Sequence, residues 1–533
     1  MAAVSFASYA QEIDPTVEVS RVYEGKLMEV HKPSMEMAVP DTAYRFDLDF
    51  DYSVFDSPFR GSYEFNPYAM DMRPVTMQQN PSEFYLKAGA GYTLHPVCDL
   101  VWSPDVKGPF SADVYGMHRS YVGGYRALMG NDAFDGYDLL SKAGADFGYD
   151  WKKASLDFGA SYYGVAVKGL FKSRSYNAAD AYLSLKSKSL WPKHFMYGLK
   201  VAYRFAEDRA ASMLREHDFT IDATFGPSLG ENSRIFFDLG VEMDAYFSLF
   251  DALAGRFYFV PHYVYHKGIL DVDLGLRLSA AVLKDRADMN RMNQIIYPDI
   301  RLDLTVIPDA MRLFVNVGGG EKISTYSSLL DENHHFDSSY AVGEAAGLIA
   351  PVVERVSAEA GLEGRISGFF SYNLRGGYVN YGYSPLDGII RQGGAYIPVL
   401  GYSDYQKAYA VLDWDLNFQS VRFDGNVTYT HAWGIGNEAL FAPAAFTGDS
   451  ELMYNWRKRI YAGVDCEFAT SRSCASGLEV PGYADLGVSV EYVMNRKMSF
   501  WLRGGNLLNM EIQRNLLFAE KGIHFTAGIC LNL

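Results

Sequence analysis

The chain has 533 residues, 15% of them aromatic, with 39 Tyr, 34 Phe, 49 Gly, 20 Pro and a formal charge of -16. Without a basic block, that charge makes nucleic acid a poor partner, because neutralising phosphate needs clustered Lys and Arg. A near-neutral mean hydropathy and the lack of any run of about 18 apolar residues exclude a helical membrane protein, but not a membrane sheet in which every second residue faces a polar lumen.

In chain order, Ser8-Tyr9-Ala10 before Gln11 fits a small-x-small cleavage site, and Ala2 to Phe6 resemble the end of an apolar core. Residues 1–10 are therefore expected to be the remnant of a signal peptide, with a chance match as the alternative. Residues 11–81 are punctuated by Pro33, Pro40, Pro58, Pro67 and Pro74, so much of this segment should be extended and periplasmic. Within it, Leu48, Phe50, Tyr52 and Val54 alternate with Asp47, Asp49 and Asp51. Such a strand can add to a sheet edge, either a partner's or its own local hairpin.

From residue 82 the dominant period is two, the sign of strands with unlike faces. Phe84, Leu86, Ala88, Ala90 and Tyr92 interleave with Tyr85, Lys87, Gly89 and Gly91. Leu270, Val272, Leu274, Leu276 and Leu278 interleave with Asp271, Asp273, Gly275, Arg277 and Ser279, and Leu412, Trp414, Leu416 and Phe418 with Asp413, Asp415 and Asn417. Many segments hold the pattern for about 10 to 14 residues, long enough to cross a bilayer when tilted. Short turns at Asp150-Trp151-Lys152, His266-Lys267 and Gln419-Ser420 alternate with long loops at 320–354, 383–405 and 434–445. These features predict an all-β, antiparallel transmembrane barrel over 82–533, of about 22 strands within a range of 16 to 22, counting a doubtful one near Phe446 to Asn455. An even count puts both chain ends in the periplasm and the long loops outside the cell.

Chemistry-bearing motifs are sparse. Asp331-Glu332-Asn333-His334-His335-Phe336-Asp337 brings two imidazoles near carboxylates. Adjacent side chains in an extended strand diverge, so His334 and His335 meet one metal ion only in a turn, and a solvated acidic loop is the favoured reading. Trp102, Trp151, Trp191, Trp433 and Trp456 fall near strand ends, as interface anchors do. Tyr383, Tyr396, Tyr402 and Tyr405 keep a glycan-stacking alternative open. Cys98, Cys466, Cys474 and Cys530 show no zinc spacing; Cys466, in phase with Val464 and Phe468, should face lipid, against a loop-closing bridge to Cys474. No His, His431 included, sits in a motif with a nucleophile, and no cofactor fingerprint occurs, so neither an enzyme nor a bound cofactor is expected.

Near the C-terminus, Tyr483 to Tyr492 alternate, Asn495-Arg496-Lys497 turns, and Arg503-Gly504-Gly505-Asn506-Leu507-Leu508-Asn509 precedes a last strand, His524 to Leu533. This resembles the end of a TonB-dependent outer-membrane receptor barrel. The resemblance implies a Gram-negative outer-membrane protein, contacting lipid and lipopolysaccharide, whose closing strand presents Phe525, Ala527, Ile529, Leu531 and Leu533 outward. Leu533 departs from the usual terminal aromatic. The resemblance also lends Asp14 to Val19, with Thr16, Val17 and Val19, a likeness to a TonB box, with a plain mature N-terminus as the alternative. The family's plug domain exceeds the about 70 residues of 11–81, too few for a comparable globule. A barrel of this girth needs a filled lumen. The expected role is a non-enzymatic, plugless receptor-like barrel acting as a subunit or scaffold of a multi-protein outer-membrane complex for assembly, export or nutrient uptake. Its partner contacts are placed at Thr16, Val17, Val19, Leu48, Phe50 and Tyr52. A porin-like channel and a reduced TonB-linked transporter are the alternatives.

Overall fold

Two-faced strands are stable in lipid only when every backbone polar group is paired, so a sheet there must join its first strand to its last. The computed structural model describes residues 83–533 apart from 93, 126–127, 129–132, 169–172, 189–194, 211–212, 249–250, 286–290, 337–348 and 393. Within that span one 22-stranded antiparallel sheet closes on itself. In chain order the strands are β1 (Phe84–Tyr92), β2 (Val97–Trp102), β3 (Phe110–Tyr125), β4 (Phe134–Asp150), β5 (Ala154–Lys168), β6 (Ser173–Ser187), β7 (Met196–Arg209), β8 (Met213–Gly226), β9 (Ser233–Phe247), β10 (Ala252–Lys267), β11 (Leu270–Asp285) and β12 (Arg291–Ile307). There follow β13 (Met311–Lys322), helix α1 (Tyr326–Glu332), β14 (Val352–Ile366), β15 (Phe370–Gln392), β16 (Ala395–Phe418), β17 (Val421–Trp433), β18 (Phe446–Trp456), β19 (Ile460–Ala469), β20 (Arg472–Ser473), β21 (Glu479–Val480), β22 (Tyr483–Asn495), β23 (Met498–Gly505) and β24 (His524–Asn532).

Each strand pairs with the next, except that β19 passes over the small β20–β21 hairpin to pair with β22. The strand left doubtful by its sequence is β18. Closure sets Tyr85 opposite Asn532 and Tyr92 opposite Phe525, and Phe84 and Leu533 exchange backbone hydrogen bonds of 2.9 and 2.8 Å. Crossing is by strands; among the described residues no helix is long and apolar enough to span a membrane.

The predicted phases hold. On β11, Leu274, Leu276 and Leu278 remain exposed on the outside, where lipid rather than water receives them. The opposite phase lines the lumen with paired charge: Arg277 lies 2.8 Å from Asp299, and His262 lies 2.9 Å from Asp238 and 3.0 Å from Asp273. Cys466 of β19 keeps its outward phase opposite Ser450, while Cys474 is buried among loops; all four thiols are free. Trp102, Trp151, Trp433 and Trp456 are exposed at or beside strand ends; Trp191 lies outside the described residues.

Connections at the rim that carries Leu533 are short, as at 151–153, 419–420 and 496–497, and the long ones, 323–351, 434–445, 470–482 and 506–523, all lie at the opposite rim. The turn expected at His266-Lys267 falls two residues later, where Gly268 takes φ 61. Residues 383–405 correct the expectation of a loop. They are the outer parts of β15 and β16, which pair up to Gln392 opposite Ala395. Pro385 and Pro398 lack the N–H that a ladder uses and argue against a strand. A register shift between Tyr381 and Ser384 resets the pairing before Pro385.

Candidate functional site

The part of the segment between β13 and β14 that runs from 323 to 336, expected as a solvated outer loop, folds into the barrel instead. Its sequence explains the local shape. Thr325 caps α1, its side chain accepting from Ser328 N at 3.0 Å, and Asn333 ends it, its N–H donating to Leu329 O at 3.0 Å. This satisfies helix-end groups that would otherwise be orphaned. Tyr326, Ser327, Leu329 and Leu330 are buried.

What buries them is the lumen-facing phase of strands far along the sheet. The Tyr326 hydroxyl donates to Asp208 of β7, and its N–H donates to the Tyr246 hydroxyl of β9 at 3.2 Å. Tyr246 in turn donates to Glu216 of β8 at 3.0 Å. The Ser327 hydroxyl also donates to Glu216 and lies against the Tyr176 hydroxyl of β6. Arg174 of β6 donates to the His334 carbonyl. Because four consecutive strands supply inward-phase side chains, α1 lies inside the barrel. Asp208 and Glu216 are both nearly solvent-free; burial of unpaired carboxylates is costly, so these hydroxyl and amide donors are needed in the docked state. Around this polar contact, Leu329, Leu330, Phe336 and Ile349 pack in one buried cluster with Val165, Ala178, Ala206, Leu214 and Ala254 of the wall.

A second layer closes over the same rim. The outer β15–β16 hairpin has Tyr383 stacked on Tyr402 at 4.6 Å and Tyr381 beside Tyr405 at 4.7 Å. Leu400 joins the α1 cluster, while Leu440 of 434–445 packs on Leu386 and Tyr405. A Cβ at Gly388 would meet Ala439 O at 2.8 Å and Leu440 Cδ2 at 2.9 Å, so only glycine admits this approach. Phe441, Cys474, Val480 and Leu516 form a further apolar knot on Ile389. The tyrosines named from sequence as a glycan platform are thus spent largely on one another and on this cap: Tyr396 packs on the Ile389 knot, and Tyr405 is buried.

At the seam between the loop and the wall is a cavity lined by His95, Tyr121, Asp138, His334, His335 and Lys521, among others. His335 stacks on Phe518 at 4.1 Å and 6°, and its Nδ1 is shielded from solvent without a hydrogen-bond partner. Burial, assisted by His334 and Arg174, pushes this imidazole down to about 3. His334 instead turns its Nδ1 to Asp138, 4.0 Å away. The two imidazoles therefore serve different neighbours, and among the described residues no three ligating side chains converge on a metal position.

Of the other sequence-named residues, Phe525 and Ile529 stand exposed on the outside of β24, whereas Thr16, Val17, Val19, Leu48, Phe50 and Tyr52 lie outside the described residues. Sequence reading missed Tyr176, Asp208, Glu216, Tyr246, Tyr326 and Ser327. The available signal was weak: inward-phase acids near strand ends, and a capped Leu-Leu helix inside a supposed loop.

No family model matches the chain, and no curated protein matches it. Solved structures do. The copper transporter OprC superposes with a TM-score of 0.64 at 12% identity, over 84% of this chain and 79% of that one. The FrpB iron transporter from Neisseria meningitidis gives 0.66 at 9%, over 85% and 82%. The siderophore receptor PiuA from Acinetobacter baumannii gives 0.63 at 9%, over 84% and 81%. At these identities the likeness is one of fold. It bears out the resemblance in fold to the barrel of TonB-dependent receptors, and the neighbours named here are transporters and a receptor.

Proposed function

We propose that the chain is a non-enzymatic, receptor-type barrel that works as a subunit of a multi-protein outer-membrane complex moving cargo across that membrane, with the α1 segment as its own lumenal gate. The supporting observation is the docking of α1 on Asp208 and Glu216 from inside the wall. A static plug is served by apolar packing alone. Carboxylates that water would hydrate once the loop leaves make the polar part of docking an exchange of hydrogen-bond partners, small in net free energy, which suits a contact that opens. A reversible gate needs an agent that binds its open state better than its closed one, and a partner protein or its cargo would fill that role. In this reading the rim that carries Leu533 is periplasmic, the long loops are extracellular, and residues 11–81 offer Thr16 to Val19 and Leu48 to Tyr52 to periplasmic partners.

Purification in mild detergent tests the subunit reading: stoichiometric partner proteins are expected, and a solitary barrel would sink it. Planar-bilayer recording tests the gate. The intact chain should be nearly silent and deletion of 326–336 should open a steady conductance; steady conductance of the intact chain would restore the porin reading. A reduced TonB-linked transporter is the second reading, favoured by the transporters among its structural neighbours. It predicts that removing Thr16 to Val19 abolishes uptake of a substrate without loss of partners.

A further inference from the structure

Charge is set unevenly around the rim that carries Leu533. The β18–β19 turn reads Arg457-Lys458-Arg459 and the β22–β23 turn Arg496-Lys497, with no Asp or Glu in 455–460 or 494–498. Since β19 pairs directly with β22, the two turns are neighbours, about 10 Å apart at the usual inter-strand spacing. All five basic residues are exposed.

The turns are held from within. Asn455 Oδ1 accepts from Lys458 N at 2.7 Å, Asn495 Oδ1 accepts from Lys497 N at 2.8 Å, and Arg459 N donates to Trp456 O at 3.1 Å. Directly beside them on the outer surface stand the exposed side chains of Tyr454, Trp456, Tyr492 and Met494. The Arg457 guanidinium lies 5.7 Å from the Trp456 ring. Outward aromatics at strand ends mark the headgroup depth of a bilayer, so the cations sit where lipid phosphates lie.

We propose that these two turns form a binding site for anionic phospholipid headgroups. A lipid satisfies both halves of the surface, phosphate on the cations and acyl chain on the Trp456–Met494 ledge, whereas an acidic protein would leave the outward ledge uncovered. Each cation at an anionic surface is worth about fivefold in partitioning, so losing even two engaged cations costs at least about tenfold. The inference rests on the membrane setting of the barrel, and not on its partners or its gate.

The test is native mass spectrometry of the intact chain in detergent, titrated with phosphatidylglycerol or phosphatidylethanolamine. It is compared with a variant carrying Arg457→Asn, Lys458→Asn, Arg459→Gln, Arg496→Gln and Lys497→Gln. Asparagine tolerates the positive φ of 52 and 56 at 457 and 458, and folding is checked by heat-modifiable migration. The native chain should retain phosphatidylglycerol in preference to phosphatidylethanolamine, and the variant should lose at least about tenfold of it. Equal retention by variant and native chain, or equal binding of the two lipids, overturns the proposal, as does an acidic protein held in place of lipid. Should the variant not fold, about 1 M salt on the native chain gives the same reading, because screening strips an electrostatic lipid and leaves an apolar one in place.

Discussion

Ser327 shows how much of the gate hangs on single hydroxyls. It serves Glu216 through both its hydroxyl and its N–H and lies against Tyr176 as well. Ser327→Ala leaves a buried carboxyl short of a hydrogen-bond partner, a loss of about 1–3 kcal/mol and so roughly a five- to hundredfold rise in the undocked population. Hydrogen exchange across 326–336 should report that rise, and unchanged protection would show that packing alone holds α1. His335 sets a pH dependence. Its docked imidazole is held near 3, against about 6.5 when free, so the undocked state binds the extra proton and docking weakens as pH falls from about 6.5 toward 3, by at most about 1.4 kcal/mol per unit. Glu520, pushed up by burial, works in the opposite sense at the acid end. The expectation is therefore a difference: His335→Phe, which preserves the ring against Phe518, should make loop protection less acid-sensitive than in the native chain between pH 6 and 4.

At the scale of elements, strand phase was legible, and the short turns to within two residues, because both depend on neighbours in sequence. Leu276 shows the outward phase in both its pattern and its exposure, and it lies mid-strand in β11. Leu276→Arg is expected to cost about 2–4 kcal/mol of folding into lipid, read as a shifted denaturant midpoint in vesicles. The β15–β16 hairpin was not legible. Its outer part is covered by 434–445 and by the α1 segment, so the apolar face that stabilises it belongs to distant chain. Gly388→Val should drive Leu440 and Ala439 away at a cost of about 1–3 kcal/mol. Faster proteolysis within 434–445 with an intact barrel band is the expected result, and an unchanged cleavage rate would show that the close approach is dispensable.

For the molecule as a whole, closure couples the two ends of the described span. β24 meets β1 across eight paired positions, so deletion of 524–533 should leave two unpaired edges in lipid and abolish the heat-modifiable folded band rather than weaken it. A folded, heat-modifiable product from that deletion would mean that β1 and β23 close without it. The cap over the opposite rim contributes nothing to closure, so loop deletions there should change conductance while leaving the barrel's resistance to heat.

Much of this architecture was carried by order along the chain. A period of two dictates which side chain meets lipid and which meets the lumen, short polar turns dictate antiparallel neighbours, and an even count dictates that the strands end where they began. These are local rules, and a barrel of about 22 strands follows from them, with β18 the strand they left doubtful. Local rules do not say which inward carboxylate meets which loop. The meeting of Tyr326 with Asp208 and of Ser327 with Glu216 joins residues more than a hundred positions apart. It exists because the sheet has curved until distant strands face one lumen. The placement of α1, the divergence of His334 from His335 and the folding of the β15–β16 tip under Leu440 all depend on that curvature, so they were settled by tertiary structure.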